Sequence, residues 1–470
     1  MSIAPVKVKV ERNQRLFPLH LSPFEFYLDV DDRPEYPMTF VVQMSFSGWL
    51  EPDRLDAALE HALARHPLLG AVIRPAKRGM ECWVNDPMVG VDIRWHGFDE
   101  TPKLDCGEFI DLRREPGLRI WVQHNNSRTV ITTQFHHAAC DGIGAYQFLG
   151  DWLHQYAAAS GDQGLSAAFE LSPTALRDRF RQSLDLSKFL DERGQVRKEW
   201  AEYQHMEQCG TTPLSFPGDG DDDYGPDPDN SSVDFPGFVA ESLDRHQFRE
   251  VRLRAQELGL TPNDWSLVQY FRTMRDWNRD ESNISADIAG CGGAAPSISV
   301  LVPMSLREPG MPALSACNVV TYSVVNRADE DLDADEEFLA GIRHEMAQLK
   351  RDRHESPFLN MISGARLHEE MLDNLLRDDL CLATGTLSNT GDPTKQFLCR
   401  LPEEKGRIRC GDLRLDSIGG TPPLRPNTHV AVSLFTYRRE LRVCMRCDPK
   451  YFSVAASREL LRRYMARLQE

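Results

Sequence analysis

The chain lacks any run of about 18 apolar residues, the length that spans a bilayer, so no transmembrane segment is expected. Its first stretch, MSIAPVKVKVERNQRLF, lacks the apolar h-region of a secretory signal. It is short of positive charge: 54 Lys and Arg stand against 71 Asp and Glu, a formal net charge of -17 over 470 residues. A field of that sign repels phosphates and disfavours a general binder of nucleic acid or anionic membrane, although a local basic patch can still hold a phosphate. A disulfide framework is also missing. The 11 cysteines are odd in number and scattered, which fits a reducing, cytoplasmic setting. No internal sequence repeat is visible.

What is present suffices for packed cores. Hydrophobic residues make up 41% and charged residues 27%, and the length implies two or three domains or subdomains. MTFVVQMSF (38–46), LLGAVIR (68–74), LRIWVQH (118–124) and TVITTQF (129–135) read as strands, with NNSR as the turn between the last two. Leu55, Ala58, Leu59, Ala62 and Leu63 share one helical face. After Gly142 the period changes, and Ala145, Phe148, Leu149, Trp152, Leu153 and Tyr156 mark an amphipathic helix. Residues 172–210 are polar and read as helical. Residues 211–238 are dense in Pro, Gly and Asp and read as a connection. A second series follows. Thr261 is placed to cap a helix with Pro262 at its first position. ISVLVPMSL and NVVTYSVV read as strands, ADEEFLAGIRHEMAQLKRD as a helix, HVAVSLFTY and ELRVCMRCD as a hairpin around Arg438-Arg439, and SRELLRRYMARLQ as a closing helix.

Several motifs carry less than they suggest. The acidic loop DGDDDYGPDPDN offers Asp219, Asp221 and Asp223 at calcium-ligand spacing, but Tyr224 stands where an EF-hand loop needs glycine and Asn230 where it needs glutamate. A solvated loop is the better reading. GCGGAA (290–295) precedes a strand, the reverse of the order a dinucleotide loop requires. Cys444 and Cys447 lie in a strand at an odd separation, so they face opposite sides. His61 and His66 near a helix C-terminus suit its dipole, which explains them without a further role.

The stretch HHAACDG (136–142) differs in kind. Adjacent histidines at a strand end point opposite ways, so they do not share a metal, and no metal site is expected. One ring is free to face a cavity while the other packs. By themselves, two hydrogen-bonded structural histidines remain the simpler reading. The full order of strand, His-His, three small or soft residues, Asp-Gly and helix adds more. Asp141 can turn back to hold the loop, and Gly142 is read as permitting a backbone geometry closed to other residues.

HHAACDG fits the His-His-x-x-x-Asp-Gly signature, and the chain resembles the condensation-domain and acyltransferase superfamily of chloramphenicol acetyltransferase-like proteins. That group includes nonribosomal peptide condensation domains, wax ester synthases and alcohol acetyltransferases. LSPFEFYL, LDAALEHALARHPLLGAVI, AQELGLTPNDWSLVQYF, VPMSLR, LSNTG and the final hairpin follow in the family's order, so the resemblance covers nearly the whole chain. It implies an α/β (α+β) fold of two similar subdomains in a V, with mostly antiparallel sheets flanked by helices and a tunnel between them. Residues 1–171 would form the first subdomain, 172–238 the connection and 239–470 the second subdomain. The resemblance makes His137 the catalytic base, flanked by His136, with Asp141 and Gly142 completing the motif. It makes the Gly142 N–H an oxyanion donor, with Ser388 or Asn389 a weaker choice for that role or for the tunnel wall. It also pairs Asp141 structurally with Arg307. No acyl-enzyme is implied.

The expected function is transfer of an acyl group from a coenzyme A or carrier-protein thioester to a small-molecule alcohol or amine. No bound cofactor is expected; acyl-CoA or a phosphopantetheinyl carrier protein serves as co-substrate. No carrier domain is read in these residues, so an acyl or peptidyl carrier is expected in trans. Arg407, Arg409, Arg425, Arg438 and Arg439 are candidates for a donor phosphate, although a solvated arginine is the simpler reading for each. The Asp-Phe-Gly-Trp-Gly segment common among peptide-forming and plant relatives is absent, and GGTPPLRP (419–426) stands near the end instead. This leans toward the free-standing bacterial enzymes, which often make esters. The alternatives are an amide-forming condensation enzyme of a nonribosomal peptide pathway, and a non-catalytic relative that binds acyl chains or a carrier.

Overall fold

A computed structural model describes residues 6–8, 16–76, 81–102, 104, 107–179, 211–217, 235–280, 283–284, 297–308, 313–355, 358–359, 362, 376 and 381–470. The calcium-like loop, the GCGGAA stretch and most of the expected helical segment 172–210 lie outside the described residues.

The chain opens with β1 (Val6–Val8), β2 (Leu19–His20), α1 (Pro23–Asp31), β3 (Thr39–Ser47), α2 (Pro52–Arg65), β4 (Val72–Pro75), β5 (Glu81–Val84), β6 (Val91–Gly97), β7 (Leu118–His124), β8 (Arg128–His136) and α3 (Gly142–Ala159). It continues with β9 (Phe216–Pro217), β10 (Val239–Leu243), α4 (Arg245–Glu257), α5 (Pro262–Asn278), β11 (Asn283–Ile284), β12 (Ser297–Ser305), β13 (Val320–Ala328), α6 (Asp335–Asp352) and β14 (Gly385–Gly391). The last part holds β15 (Glu403–Glu404), β16 (Arg407–Cys410), β17 (Leu413–Thr421), β18 (Val430–Tyr437), β19 (Glu440–Cys447) and α7 (Val454–Leu468). Among the described residues no helix is long and apolar enough to cross a membrane.

Local chemistry sets many boundaries. Ser22 and Thr261 each cap a helix in a reciprocal box, with Glu25 and Asp264 at the third position and proline inside the first turn. The α2 stripe read from the sequence is the buried one. The final hairpin turns at Arg438 and Arg439, both at positive φ (54° and 66°). That is the conformation a two-residue hairpin loop requires, although arginine adopts it reluctantly.

Two sheets organise the molecule. One runs β1-β6-β7-β8-β3-β17-β16-β15, the other β10-β19-β18-β14-β12-β13. Pairing is mostly antiparallel; β6–β7, β12–β14 and β14–β18 are parallel. Each sheet has its own hydrophobic core, one gathered around Phe135, Phe148 and Trp152, the other around Phe271, Tyr270 and Tyr464. The boundary at residue 238 does not describe sheet membership. Strands β15 to β17, late in the chain, leave the second half and close onto β3 of the first sheet. Sequence order cannot show this, because β17 pairs with its neighbour β16 on one side and satisfies its other edge against β3, more than 360 residues away, at register pairs such as Leu415 with Phe46. Cys444 joins the first core and Cys447 the second, as their odd separation in β19 dictates.

Candidate active site

The motif begins where β8 ends. Thr39 of β3 stands opposite His136, and the His136 N–H donates to the Gly117 carbonyl at 2.9 Å. The His136 ring is fully buried. Its Nδ1 accepts from the Ala138 N–H at 3.1 Å, and its Nε2 lies 3.1 Å from the Asp32 carboxylate. Asp32 also accepts from the Met38 N–H at 2.7 Å, and the Met38 carbonyl accepts from the His137 N–H at 2.7 Å. His136 is therefore an anchor that ties the motif to the end of α1.

His137 points the other way and is only partly buried. Its ring sits among Phe40, Tyr322 and Phe24, with centroids at 5.1, 6.4 and 6.5 Å. These come from β3, β13 and α1, so the cage draws on both sheets. Burial lowers the ring's pKa below the ordinary imidazole value, partly offset by its own carbonyl, Asp141 and Asn318. The ring is thus neutral at pH 7, the state a base needs.

The Asp141 carboxylate takes its hydrogen bonds from groups other than this ring. One carboxylate oxygen accepts from the Gly144 N–H at 2.8 Å and caps α3; the other takes Arg307 Nη1 at 2.6 Å and the Val319 N–H at 2.8 Å. Burial opposes the Arg307 charge, and Asp141 beside it more than restores it. The structure thus brings Asp141 and Arg307 together. Gly142 differs from its sequence reading. It does not have positive φ, and a Cβ there would touch only Tyr146 at 3.8 Å. Backbone strain does not explain this glycine. The first intrahelical bond of α3 is Ala145 N–H to the Asp141 carbonyl, and Gly144 is capped, so the N–H groups of Gly142 and Ile143 remain for a ligand at the positive end of the helix.

Ser388 and Asn389 lie on β14. Asn389 is exposed, donates to Asn263 at 3.0 Å and accepts from the Gly391 N–H at 3.0 Å, an arrangement that serves its own strand end. The strand meets the motif helix through Thr390, beside the buried Tyr146 hydroxyl. Of the five arginines read as phosphate candidates, Arg407 pairs with Asp416, Arg409 with Asp162, and Arg425 with Asp31. Arg438 and Arg439 remain; Arg438 does not line the groove in which Arg439 sits, a groove of about 900 Å³ shared with Arg245, Arg249 and Arg252 of α4. None of the four groove arginines has an ion pair among the described residues. Their spacing along α4 was legible as one helical face, but it had no motif to draw attention to it.

The sequence reading gave His66 no role beyond the helix dipole. Its fully buried ring lies 3.0 Å from Asp151 of α3 and accepts from the Ala316 N–H at 2.8 Å, so dipole compensation is not its whole role. No periodicity or local motif marks such a residue, since its partners lie 85 and 250 positions away.

The architecture is that of condensation domains and of the acetyltransferases that share their fold, and the resemblance carried by HHAACDG holds at that level. The condensation domain of the monacolin K polyketide synthase MokA matches with a TM-score of 0.62 at 12% identity over 96% of both chains. The trichothecene 15-O-acetyltransferase TRI3 of Fusarium sporotrichioides gives 0.61 at 12% identity, over 96% of this chain and 93% of that one. Polyketide synthase associated protein 5 of Mycobacterium tuberculosis gives 0.57 at 14%, over 99% and 98%. Among curated proteins, an uncharacterised protein of Mycobacterium tuberculosis, found in strains CDC 1551 and H37Rv, is 25% identical over 369 residues, 74% of this chain and 78% of that protein. No family model matches the chain.

Proposed function

We propose that the protein is an acyltransferase that moves an acyl group from a thioester to an alcohol or amine, with His137 as general base. The observation that carries this reading is the pairing of a neutral, partly exposed imidazole with open N–H groups at the start of α3. The His137 imidazole takes the proton of the attacking hydroxyl or amine as the nucleophile closes on the thioester carbonyl. The oxyanion that forms is met by the Gly142 and Ile143 N–H groups. Collapse expels the thiolate, which recovers the proton from the imidazolium. No cysteine enters the step: Cys140 is buried, and burial holds its thiol well above its ordinary pKa.

The four unpaired arginines of the groove support a phosphate-bearing donor, either coenzyme A or a phosphopantetheinyl carrier. Thr261 and Pro262 line the same groove, the next residue, Asn263, accepts from Asn389 of β14, and on that strand Thr390 stands beside Tyr146 of the motif helix.

The test is thiol release from a panel of acyl-CoA and acyl-carrier donors, offered mixed alcohols and amines, followed by mass analysis of the products. His137→Ala should lower turnover by about 100- to 10,000-fold while the chain stays folded. Undiminished thiol release by that variant would remove His137 from the chemistry.

A further inference from the structure

We propose that Asn318 is a positioning residue that fixes the orientation and tautomer of His137. The inference rests on His137 being the working base.

Asn318 belongs to the segment Ser315, Ala316, Cys317, Asn318 and Val319, between Arg307 and β13, and all five residues are buried. Each is fastened to the first half of the chain. Ser315 Oγ donates to the Arg65 carbonyl at 2.6 Å, and the Ala316 N–H donates to His66 at 2.8 Å. The Cys317 carbonyl accepts from the Asp141 N–H at 3.4 Å as well as from Arg307 at 3.1 Å, and the Val319 N–H donates to Asp141 at 2.8 Å. The strap also packs on the first turn of α3, where a Cβ on Gly144 would crowd the Cys317 N and O at 3.0 and 3.1 Å.

Within this strap, Asn318 is the residue that touches His137. Its Nδ2 donates to the carbonyls of His137 and Ala138, at 2.8 and 2.9 Å. Carbonyls only accept, so the amide cannot be turned over, and Oδ1 has a fixed direction. Oδ1 is buried without a hydrogen bond, and so is Nδ1 of His137. Two groups act on the ring from this side: the residue's own carbonyl, which Asn318 holds, and the Asn318 side chain, whose Oδ1 has no other partner. Both favour a proton on Nδ1, in agreement with their upward pull on the ring's pKa. A proton held there leaves the Nε2 lone pair for the substrate. One side chain thus controls both, and the strap keeps it in place.

The experiment uses the full chain labelled with 15N-histidine. The His137 signals among the 14 histidines are assigned by their loss in His137→Gln. Long-range 1H–15N correlations then report which nitrogen carries the proton. The wild type should show the proton on Nδ1. Asn318→Ala should shift population to the Nε2–H form, move the titration midpoint of His137 down, and reduce thiol release by about 100-fold, the low end of what a general base supplies. Ser315→Ala, which loosens the strap away from the ring, should leave the tautomer unchanged. Should Asn318→Ala fail to fold, Asn318→Ser keeps a small polar group and lacks the amide oxygen, and the same shift is expected. An unchanged Nδ1–H tautomer in whichever Asn318 variant folds overturns the proposal. The tautomer is read without turnover. If His137→Ala keeps its activity, the base assignment fails separately, whatever the spectra show.

Discussion

At the residue scale, the adjacent histidines divide anchoring from chemistry. His136 is buried against Asp32 and the Ala138 N–H, and His137 is caged by aromatic rings yet partly open. The sequence made this division legible, because neighbours on an extended strand face opposite ways. It did not reveal the partners, which lie on α1, β13 and the strap. A pH prediction follows from the cage. Burial lowers the His137 pKa, so the ring stays neutral, and active as a base, below the pH at which a free imidazole takes up its proton. The acid limb of kcat/KM should therefore have its midpoint below about 6.5. A midpoint at or above that value, measured with a donor of constant ionisation, would mean that the ring is more hydrated than the structure shows.

At the scale of elements, the start of α3 is held by a pair that spans the two halves. Asp141 caps the helix, and Arg307 follows β12. A buried pair contributes little net stability when whole, whereas removing one partner strands the other at about 3–5 kcal/mol. Asp141→Ala and Arg307→Ala should each destabilise by about that amount, and the double variant by less than their sum. Denaturant unfolding of the four proteins measures the coupling. Strict additivity, or an Asp141→Asn variant of full stability without activity, would return the carboxylate to the chemistry. The β18–β19 hairpin makes a second case. Arg438 and Arg439 occupy left-handed positions that cost a side-chain-bearing residue about 1–2 kcal/mol each and that Asn-Gly fills readily. Arg438→Asn combined with Arg439→Gly should raise the Tm. It should also raise the KM for a phosphate-bearing donor, because Arg439 leaves the groove. A lower Tm would show that the arginines stabilise the turn through contacts of their own.

At the scale of the whole molecule, burial lowers the pKa of four described histidines in different parts of the fold: His66 at the end of α2, His124 at the end of β7, His137 in the motif and His429 in the second half. A histidine whose folded pKa is depressed contributes stability that is complete above its unfolded value, about 6.5, and lost as the pH falls toward the folded one. Asp56 acts in the opposite sense, since burial, Asp53 and Glu60 push it up to about 6. The contribution of one ring is therefore best read as a difference. His429 is the suitable probe: its Nδ1 donates to the Leu214 carbonyl at 2.7 Å, and its ring packs on Tyr451 and Phe216. Between pH 7.5 and 5.5 the wild type should lose more stability than His429→Gln, as urea midpoints would show. Parallel losses would mean that His429 takes up its proton in the folded state without penalty.

The sequence by itself determined what short-range chemistry can encode. Helix starts at Ser22 and Thr261 follow from capping and proline; the buried stripe of α2 and the opposed faces of Cys444 and Cys447 follow from helical and strand periodicity. The order strand, His-His, Asp-Gly, helix placed the candidate site. Only the tertiary structure decided that β17 closes onto β3, that His66 meets Asp151 and Ala316, and that Asn318 holds the carbonyls of His137 and Ala138. It also denied Gly142 the strained backbone that the motif suggested. The physical reason is the same in each case. Periods and caps act over a few residues, whereas a buried polar group takes its partner from whatever the fold brings within about 3 Å, and the residue that arrives there carries no mark of it in the sequence.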